Sequence, residues 1–496
     1  HISYVLLPGA HYYMVNKPYQ YSYLNFTTAA RRRHFCHEEV RLNRRLAPDV
    51  YFGVLGICHD GERYWLGSED APHAVEHAVH MRRLPAAQML DQRLKDHLVT
   101  PELLDAIARR LAAFHRDADA GPEIAANGEP AAVWRVLDDN FTAARRFRDV
   151  TIAARDDDAI QQFARSFLAR HDDLFRRRQA EQRIRDGHGD LRAEHICCTN
   201  GLAIVDCVEF NPRFRHCDVA SDIAFLAMDM EDLGYAECAT HLVDCYALQA
   251  ADPELRRLLP FYSCYRAYVR GKVDSLKSIE EEVSADERDA ARRAAIRHFA
   301  LAYRYTWAAS PWLVAISGLS GSGKSAIAAA LHARTGFVHI NSDVVRKRLA
   351  GMPPGADAHA GYAAGLYTPE LNQRTYRTML DEAERHLASG RGVILDATFQ
   401  RREDRNAARL LARRHAVPFV IVECQCSEAE VRRRLAARAR RADSPSDADW
   451  AVYLEQRQRF VPFHSAEQND HAQLDTTGAT ATSVARIEDE LRQRAR

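Results

Sequence analysis

The segment GLSGSGKS (318–325) decides the fold of the C-terminal part of the chain. It follows the apolar run PWLVAI (311–316) and precedes an alanine-rich run (325–334). Glycines at this spacing let backbone N–H groups close around phosphate oxygens, and a following helix adds the positive end of its dipole. The segment therefore predicts a buried strand, a phosphate-binding loop and a helix, in that order.

Each position of this loop has an expected role. Lys324 would reach the β- and γ-phosphates of a nucleotide and take part in catalysis, and the Ser325 hydroxyl would bind Mg²⁺. The chain has only six lysines, so a lysine at this position is a specific signal. A flexible Gly/Ser turn is the alternative. The residues expected to hold the nucleotide are Gly318, Ser320, Gly321, Ser322, Gly323, Lys324 and Ser325.

Two carboxylates follow the loop at the ends of further apolar runs. Asp343, in HINSDVVRKRL (339–349), is expected to accept the proton of an attacking hydroxyl. A helix cap formed with Ser342 is the alternative for Asp343. Arg346, one turn further on, would hold an anionic substrate. Asp396, which ends GVILD, is expected to be a ligand of Mg²⁺ or of its water, or else only closes a strand.

The stretch EAEVRRRLAARARR (428–441) predicts an arginine-rich helix. Arg434 and Arg438 lie four residues apart and therefore share one helix face. Such a pair is expected to belong to a lid that closes over the transferring phosphate, where both arginines would be catalytic. A solvated basic face is the alternative.

The order of apolar and helical stretches predicts two domains. After the joint at 308–311, the runs VHINSD, GVILDATF and FVIVECQC alternate with helices, which is typical of an α/β domain with a parallel sheet (311–496). Residues 1–308 instead start with short strands around one charged helix and continue mainly with helices. This order predicts an α+β domain over 1–308.

The string HGDLRAEHI (188–196) is the second informative motif. Asp190 lies in a predicted loop between short strands, and Asp206 ends the run LAIVD one hairpin later. A carboxylate in such a loop can receive a hydroxyl proton during phosphoryl transfer. Two acidic residues so spaced can face one nucleotide, one as the base and one holding Mg²⁺.

The C-terminal part, 311–496, resembles the P-loop kinases of small molecules and of polynucleotide 5′ ends, such as gluconate kinase, zeta toxin and polynucleotide kinase. The matching motifs are GLSGSGKS, SDVVRKRL, VILDATF and VRRRLAAR. The resemblance implies ATP-dependent phosphorylation of a hydroxyl with Asp343 as the base. It does not identify the hydroxyl.

Residues 1–308 resemble the aminoglycoside phosphotransferase family, which shares the bilobal protein-kinase-like fold. The resemblance implies a small lobe up to about residue 80 and a larger lobe over 81–308. His188 and Asp190 match the family's H-x-D-x-x-x-x-N loop, and Asp206 matches its metal-binding aspartate. Asp218 and Asp222, in CDVASDIAFL, match a segment that is mainly structural in the family.

This resemblance includes two departures from the family pattern. His195 occupies the position of the metal-binding Asn, so it is expected to be a metal ligand in its place. The lysine that pairs with the phosphates should lie near Met14, but only Lys17 is present, with Glu38 or Glu39 as its expected helix partner. The resemblance also makes EHAVHMRRLP (76–85), with Met81, the hinge strand whose backbone meets adenine.

Composition limits the class of function. Lys and Arg together number 68, as do Asp and Glu, so the net charge is zero and a basic footprint for nucleic acid is missing. No apolar run reaches the length of about 18–20 residues that spans a bilayer. Eleven cysteines without a CxxC pair predict reduced, mostly buried thiols of a cytoplasmic protein, not a metal site.

These observations predict a bifunctional ATP-dependent phosphotransferase that moves the γ-phosphate to a hydroxyl of a small molecule. Each domain is expected to bind ATP and Mg²⁺, and no nucleic-acid or membrane partner is expected. One alternative is an ATP-binding regulator, in which a degenerate N-terminal domain gates a P-loop ATPase. Another is a nucleic-acid 5′-end kinase. The sequence leaves the acceptor and the oligomeric state open.

Overall fold

The structure of the chain, a computed structural model, describes residues 3–21, 24–199, 201–353, 368–438 and 449–495. The chain divides into two units, His1–Ala302 and Tyr303–Arg496. This division lies within the last helix before the expected joint at 308–311, and the domain bounds 1–308 and 311–496 stay predictions.

The first unit opens with an antiparallel five-stranded sheet and one helix. The strands are β1 (Ser3–Leu6), β2 (His11–Asn16), β3 (Gln20–Tyr21), β4 (Leu24–Asn25), β5 (Tyr51–His59), β6 (Tyr64–Gly67) and β7 (Ala74–Arg82). The sheet order is β1-β2-β7-β5-β6, and β3 and β4 form a separate hairpin. Helix α1 (Ala29–Asn43) begins where the Thr28 side chain accepts a hydrogen bond from the N–H of Arg31, and it packs on β5 and β7. The predicted kinase-like fold of the N-terminal part is confirmed, and the bound of its small lobe at about residue 80 stays a prediction.

The rest of the first unit is mainly helical. Its elements are α2 (Leu90–Lys95), α3 (Pro101–Asp117), α4 (Pro122–Ala125), α5 (Pro130–Ala144), α6 (Ala154–Arg170), α7 (Asp172–Ala180), β8 (Ile184–Asp186), β9 (Ile196–Cys197), β10 (Ala203–Ile204), β11 (His216–Asp218), α8 (Val219–Asp232), α9 (Ala236–Gln249), α10 (Leu255–Lys277) and α11 (Ala285–Ala308). The short strands pair antiparallel, β8 with β11 and β9 with β10. Asp190 lies in the loop between β8 and β9, and Asp206 lies in the loop that follows β10.

The second unit is built on a parallel sheet, as predicted, and this sheet has five strands. Its elements are β12 (Leu313–Ser317), α12 (Lys324–Thr335), β13 (Val338–Asn341), α13 (Ser342–Leu349), α14 (Pro369–Ala388), β14 (Val393–Asp396), α15 (Arg402–Arg414), β15 (Phe419–Gln425), α16 (Glu428–Arg438), α17 (Trp450–Arg459), β16 (His471–Asp475) and α18 (Thr480–Arg494). The sheet order is β13-β14-β12-β15-β16. The edge strand β16 was missed by the sequence analysis because its segment, HAQLD, is short and weakly apolar.

Within the described ranges, no helix is both long and apolar enough to cross a membrane. The eleven cysteines are all free thiols, and most of them are buried.

Candidate active sites

The phosphate loop is a tight turn between β12 and α12. Gly321 and Gly323 have φ angles of 81° and 87°, a region that L-residues with side chains rarely adopt. A Cβ atom on Gly318 would lie 2.5 Å from Ser322 Oγ and 2.8 Å from the carbonyl oxygen of Cys424. The loop therefore needs glycine at these positions to fold back on itself. Helix α12 starts at Lys324, whose side chain is mostly buried.

Asp396 lies beside this loop, at the carboxyl edge of the parallel sheet. The register pairs it with Ile316 of β12 on one side and with Asn341 of β13 on the other. Its Oδ2 atom accepts hydrogen bonds from Asn341 Nδ2 at 2.6 Å and from His339 Nε2 at 3.1 Å. The side chain has no exposed surface.

The charge state of Asp396 follows from its neighbours. Burial opposes ionisation, but the hydrogen bond from His339, the charge of Lys324 and the Ser325 hydroxyl outweigh it, and the pKa of Asp396 lies below its usual value. In the described part of the chain, the second oxygen, Oδ1, is buried without a hydrogen-bond partner. The same holds for Ser322 Oγ in the loop. An anionic carboxylate with one unused oxygen beside a serine hydroxyl fits Mg²⁺, which prefers oxygen ligands.

Asp343 and Arg346 lie one turn apart on α13 and contact each other. The Arg346 guanidinium donates to the Asp343 carboxylate and, at 3.3 Å, to Asn372 Oδ1. The helix is capped by Asn341, whose side chain accepts from the N–H groups of Asp343 (2.9 Å) and Val344 (3.1 Å). The alternative of a cap at Ser342 and Asp343 is therefore wrong, and the Asp343 carboxylate remains available to other partners. Its role as a base stays a prediction.

Arg434 lies against the phosphate loop. Its Nη2 donates to the carbonyl of Thr476 at 2.6 Å, and its Nε donates to Glu430 at 2.7 Å. The Thr476 hydroxyl in turn donates to the carbonyl of Ser322 at 2.6 Å. A Cβ atom on Gly323 would lie only 2.8 Å from Arg434 Nη1. Arg434 is thus anchored on the loop, while the side chain of Arg438 lies outside the described residues.

A cavity of about 330 Å³ opens beside the same loop. Its lining includes Leu319 of the loop and three side chains of the α17 region, Tyr453, Arg457 and Phe460. This volume is within the range of small-molecule sites.

In the first unit, Asp190, His195 and Asp206 come together. One side-chain atom from each lies within 4.8 Å of the others. His195 Nε2 is 3.2 Å from Asp206 Oδ2, and His195 Nδ1 is 2.8 Å from the carbonyl oxygen of Asp190. Asp206 follows β10 with a φ angle of 66°, and its side chain is exposed. Two carboxylates and an imidazole so arranged are a plausible ligand set for a divalent cation.

Asp190 is kept ionised by its neighbours. Arg192 donates to both carboxylate oxygens, from Nε at 3.2 Å and from Nη2 at 3.1 Å. Burial alone would raise the pKa of Asp190, but the charges of Arg192, His195 and Arg270 outweigh it and hold that pKa below its usual range. The base expected from the sequence is therefore an anion that already has a cationic partner.

The loop before Asp190 is braced by a buried network. Asp222 accepts hydrogen bonds from the backbone N–H groups of His188 at 2.7 Å and Gly189 at 2.9 Å. His188 Nε2 lies 3.0 Å from the carbonyl of Val205, and its Nδ1 accepts from the N–H of Asp190 at 3.3 Å. Burial lowers the pKa of His188 to about 4, so the imidazole is neutral at pH 7. These contacts fix the backbone of the loop and thereby the position of Asp190.

Lys17 and Glu39 have other partners than each other. Lys17 Nζ lies 4.8 Å from the ring centre of Tyr4, and the Glu39 carboxyl accepts a hydrogen bond from Tyr51 at 3.3 Å and shares another with Glu209. Among the described contacts of these two side chains, the expected ion pair is absent. The reason is position: Lys17 follows the end of β2, while Met14, within β2, packs with the α1 residues next to Glu39.

Glu39 and Glu209 are both buried and share a hydrogen bond. Burial, together with the charge of Asp206, raises the pKa of Glu209 to about 8 and that of Glu39 well above its usual value. The pair therefore carries at least one proton at neutral pH. Met81, the expected adenine contact, is a buried residue of β7, and its role stays a prediction.

Several residues of these sites were not found from the sequence. They are His339, Asn341, Glu209 and Thr476. For the first two a signal exists, because residues 339 and 341 alternate along β13 and so share one face. Glu209 and Thr476 act through contacts between distant segments, which no local pattern reveals.

The comparisons with known proteins agree with this architecture. Residues 24–243 match the model of the phosphotransferase enzyme family, and residues 313–463 match a model described as an AAA domain. The uncharacterized protein Rv2004c of Mycobacterium tuberculosis is 32% identical over 487 residues, which are 98% of this chain and 93% of that protein. The uncharacterized protein Mb2027c of Mycobacterium bovis matches with the same identity and coverage.

Among solved structures, similar chains include two kinases. One is a sugar kinase from Janibacter sp. HTCC2649, which is 17% identical with a TM-score of 0.27. The match covers 36% of this chain and 92% of the sugar kinase chain. The other is a gluconokinase from Sinorhizobium meliloti 1021, which is 18% identical with a TM-score of 0.26. The match covers 38% of this chain and 98% of the gluconokinase chain. At these TM-scores, the likenesses establish nothing about the substrate.

A phosphotransferase domain followed by a P-loop kinase-like domain defines the class: the chain is a kinase, an ATP-dependent phosphotransferase. The 32% identity to mycobacterial proteins over 98% of this chain then shows the family. The chain belongs to the family of the mycobacterial proteins Rv2004c and Mb2027c. The predicted resemblances, the fold class and the prediction of a kinase are confirmed.

Proposed function

We propose that the C-terminal unit transfers the γ-phosphate of ATP to a hydroxyl of a small molecule. The observation that carries this proposal is the meeting of the phosphate loop with Asp396 at the carboxyl edge of one parallel sheet, where Asp343 begins the helix after the neighbouring strand. An ATPase without an acceptor would need the loop and Asp396 but not a carboxylate at position 343.

In this proposal the loop and Lys324 bind the phosphate oxygens, and Ser325 and Asp396 would hold Mg²⁺. The ion, when bound, would neutralise charge on the phosphates. Asp343 takes the hydroxyl proton while the acceptor oxygen forms its bond to the γ-phosphorus. The bond between that phosphorus and the bridging oxygen breaks, and ADP leaves. The hydrogen bond from Arg346 orients the Asp343 carboxylate.

We further propose that the first unit is a second phosphotransferase site. The convergence of Asp190, His195 and Asp206 within 4.8 Å supports this, because a base and two metal ligands are what such a site requires. The protonated Glu39–Glu209 pair favours the alternative, an ATP-binding regulator, since it leaves no lysine–glutamate ion pair to position phosphates.

One experiment separates these possibilities. The full chain and its Asp343→Asn and Asp190→Asn variants are incubated with Mg²⁺, ATP and fractions of small metabolites, and phosphorylated products are identified by mass. We expect Asp343→Asn to bind ATP but to lose one product, and Asp190→Asn to lose another product or a second phosphorylation. Exposed aspartates on the same units, Asp381→Asn and Asp117→Asn, serve as matched controls.

Other outcomes would reject parts of the proposal. ATP hydrolysis without any phosphorylated product rejects transfer by the C-terminal unit. An unchanged product pattern in Asp190→Asn rejects the second site and leaves the regulator. A single-stranded oligonucleotide as acceptor tests the nucleic-acid alternative, which the zero net charge disfavours. The proposed domains, 1–308 and 311–496, predict that the second fragment alone keeps the product that depends on Asp343.

A further inference from the structure

A cluster of three metal-type side chains lies on α3 and α9, apart from both sites described above. Asp105 belongs to α3, and His241 and Cys245 belong to α9. Residues four apart share one face of a helix, so the imidazole and the thiol project from α9 together. The Asp105 and His241 side chains are each 38% exposed, so solvent ions reach the cluster.

The three donor atoms converge on one point. Asp105 Oδ1 is 2.9 Å from His241 Nε2 and 2.8 Å from Cys245 Sγ, and the sulfur is 3.5 Å from the same imidazole nitrogen. In tetrahedral zinc sites, with bonds of about 2.0–2.3 Å, such donors lie about 3.3–3.8 Å apart. The side chains need to separate by less than ~1 Å to admit an ion, and their partial exposure leaves room for that.

The arrangement does not suit a nucleophilic triad. In a triad the imidazole uses one nitrogen for the nucleophile and the other for the carboxylate. Here the sulfur and the carboxylate oxygen both face Nε2. The hydrogen bond to Asp105 and burial raise the pKa of the Cys245 thiol, so it is not an activated nucleophile.

We propose that Asp105, His241 and Cys245 bind a divalent cation of the zinc type. A thiolate, an imidazole and a carboxylate together select Zn²⁺ over Mg²⁺. Coordination releases the thiol proton to solvent, and the fourth position is left to water or an added ligand. The ion ties α3 to α9. Glu102, one turn before Asp105, adds negative charge to the site, and Arg109, one turn after it, opposes the cation.

Cobalt is the probe that separates this site from the carboxylate sites. The full chain is freed of metal with a chelator, and Co²⁺ is added in the presence of excess Mg²⁺. We expect one Co²⁺ ion in each chain to give a sulfur-to-cobalt charge-transfer band in the near ultraviolet, because the Asp190 and Asp396 sites have no sulfur ligand and cannot give this band. Zn²⁺ should displace the band and raise the midpoint of thermal unfolding.

Variants test the assignment of each ligand. Cys245→Ser should abolish the band, and His241→Ala and Asp105→Asn should each weaken Co²⁺ binding by about 10-fold or more. Arg109→Gln should strengthen it. Cys238→Ser, on the same helix one turn before His241, is the matched control and should keep the band.

Circular dichroism checks the fold of each variant, whose substituted side chain is partly exposed. The absence of the band in the wild type, its persistence in Cys245→Ser, or its loss in Cys238→Ser would overturn the proposal.

Discussion

The two candidate active sites differ in the source of their positive charge. In the second unit, Lys324, the backbone N–H groups of the loop and the start of α12 all present positive charge to a phosphate. In the first unit, Asp190 and Asp206 are accompanied by the buried Glu39–Glu209 pair, and the Arg192 guanidinium is already bound to Asp190.

Two sites for the same class of reaction can therefore differ in how they balance the negative charge of a nucleotide. The phosphate loop compensates the charge of a nucleotide largely with its own atoms, so it can bind phosphate before a metal ion is bound. The acidic site repels phosphate until a divalent cation neutralises it. We therefore expect nucleotide binding to the first unit to depend more steeply on the divalent cation than binding to the second.

The largest expected effect is that of Lys324→Ala. The side chain of Lys324 is mostly buried at the start of α12, beside the loop that is proposed to hold the phosphates. We expect the rate of the C-terminal transfer to fall by about 10³-fold, the upper range for loss of one preorganised charge-stabilising group. Product formation at saturating MgATP measures it.

Lys17→Ala is the matched control for this prediction. Lys17 belongs to the first unit and lies over the rings of Tyr4 and Tyr19. We expect less than about a 2-fold change in the C-terminal transfer, because the ring contacts of Lys17 are with residues of its own unit. Equal losses in both variants would contradict the contrast between the sites.

The next effect concerns the metal at the acidic site. Asp206→Asn and His195→Ala each remove a ligand atom from the cluster around Asp190. We expect Mn²⁺ to bind this site about 10–100-fold more weakly in each variant, as measured by calorimetry in the Lys324→Ala background, with and without ATP. Glu194→Gln, an exposed neighbour, is the control. Unchanged Mn²⁺ affinity in both variants would mean that the cluster is not a metal site.

A smaller effect is expected for the anchor of the phosphate loop. Arg434 and Thr476 hold the loop through one chain of contacts that ends at the carbonyl of Ser322. Arg434→Gln and Thr476→Val should each slow the C-terminal transfer by about 10-fold, and the double variant should be hardly slower, since coupled residues are not additive.

Additive losses would instead show that Arg434 contacts the phosphates directly, as the lid interpretation of the sequence predicts. Arg432→Gln, on the same helix but over the ring of Trp450, serves as the control variant.

Local patterns were sufficient for the fold and for much of the C-terminal site. The phosphate loop, Asp396 and Asp343 each follow a short apolar strand, and parallel strands bring their carboxyl ends to one edge. The alternative of a helix cap formed by Asp343 with Ser342 was wrong, because Asn341 caps the helix instead. Asn and Ser both favour that position, and only the backbone decides between them.

The first unit was predictable in fold but less so in its chemistry. The pairing of Glu39 with Glu209 joins segments 170 residues apart, which the sequence alone cannot bring together. The same limit hid the cluster of Asp105, His241 and Cys245, for which the sequence predicted no metal site. Its only local signal is a histidine and a cysteine four residues apart in a predicted helix.

The smallest expected effect concerns the pH dependence of the first unit's stability. In the folded chain the pKa of Glu209 is raised to about 8, from about 4.5 for a free glutamate. The folded state therefore binds more protons than the unfolded state between these values. The contribution of Glu209 to stability is therefore greatest below about pH 4.5 and decreases towards pH 8, with a slope of at most about 1.4 kcal/mol per pH unit for one proton.

Glu209→Gln should flatten this slope, because a neutral amide takes no part in the titration. Hydrogen exchange of the α1 amides at pH 5.5 and 7.5, corrected for the intrinsic rates, measures the local free energy of opening. The control is Glu38→Gln on the same helix, where a hydrogen bond from Arg41 lowers the pKa. That carboxylate is ionised at both values of pH, so its removal should leave the slope unchanged. The same pH dependence in the wild type and in Glu209→Gln would contradict this prediction, because it would mean that Glu209 binds no extra proton in the folded state.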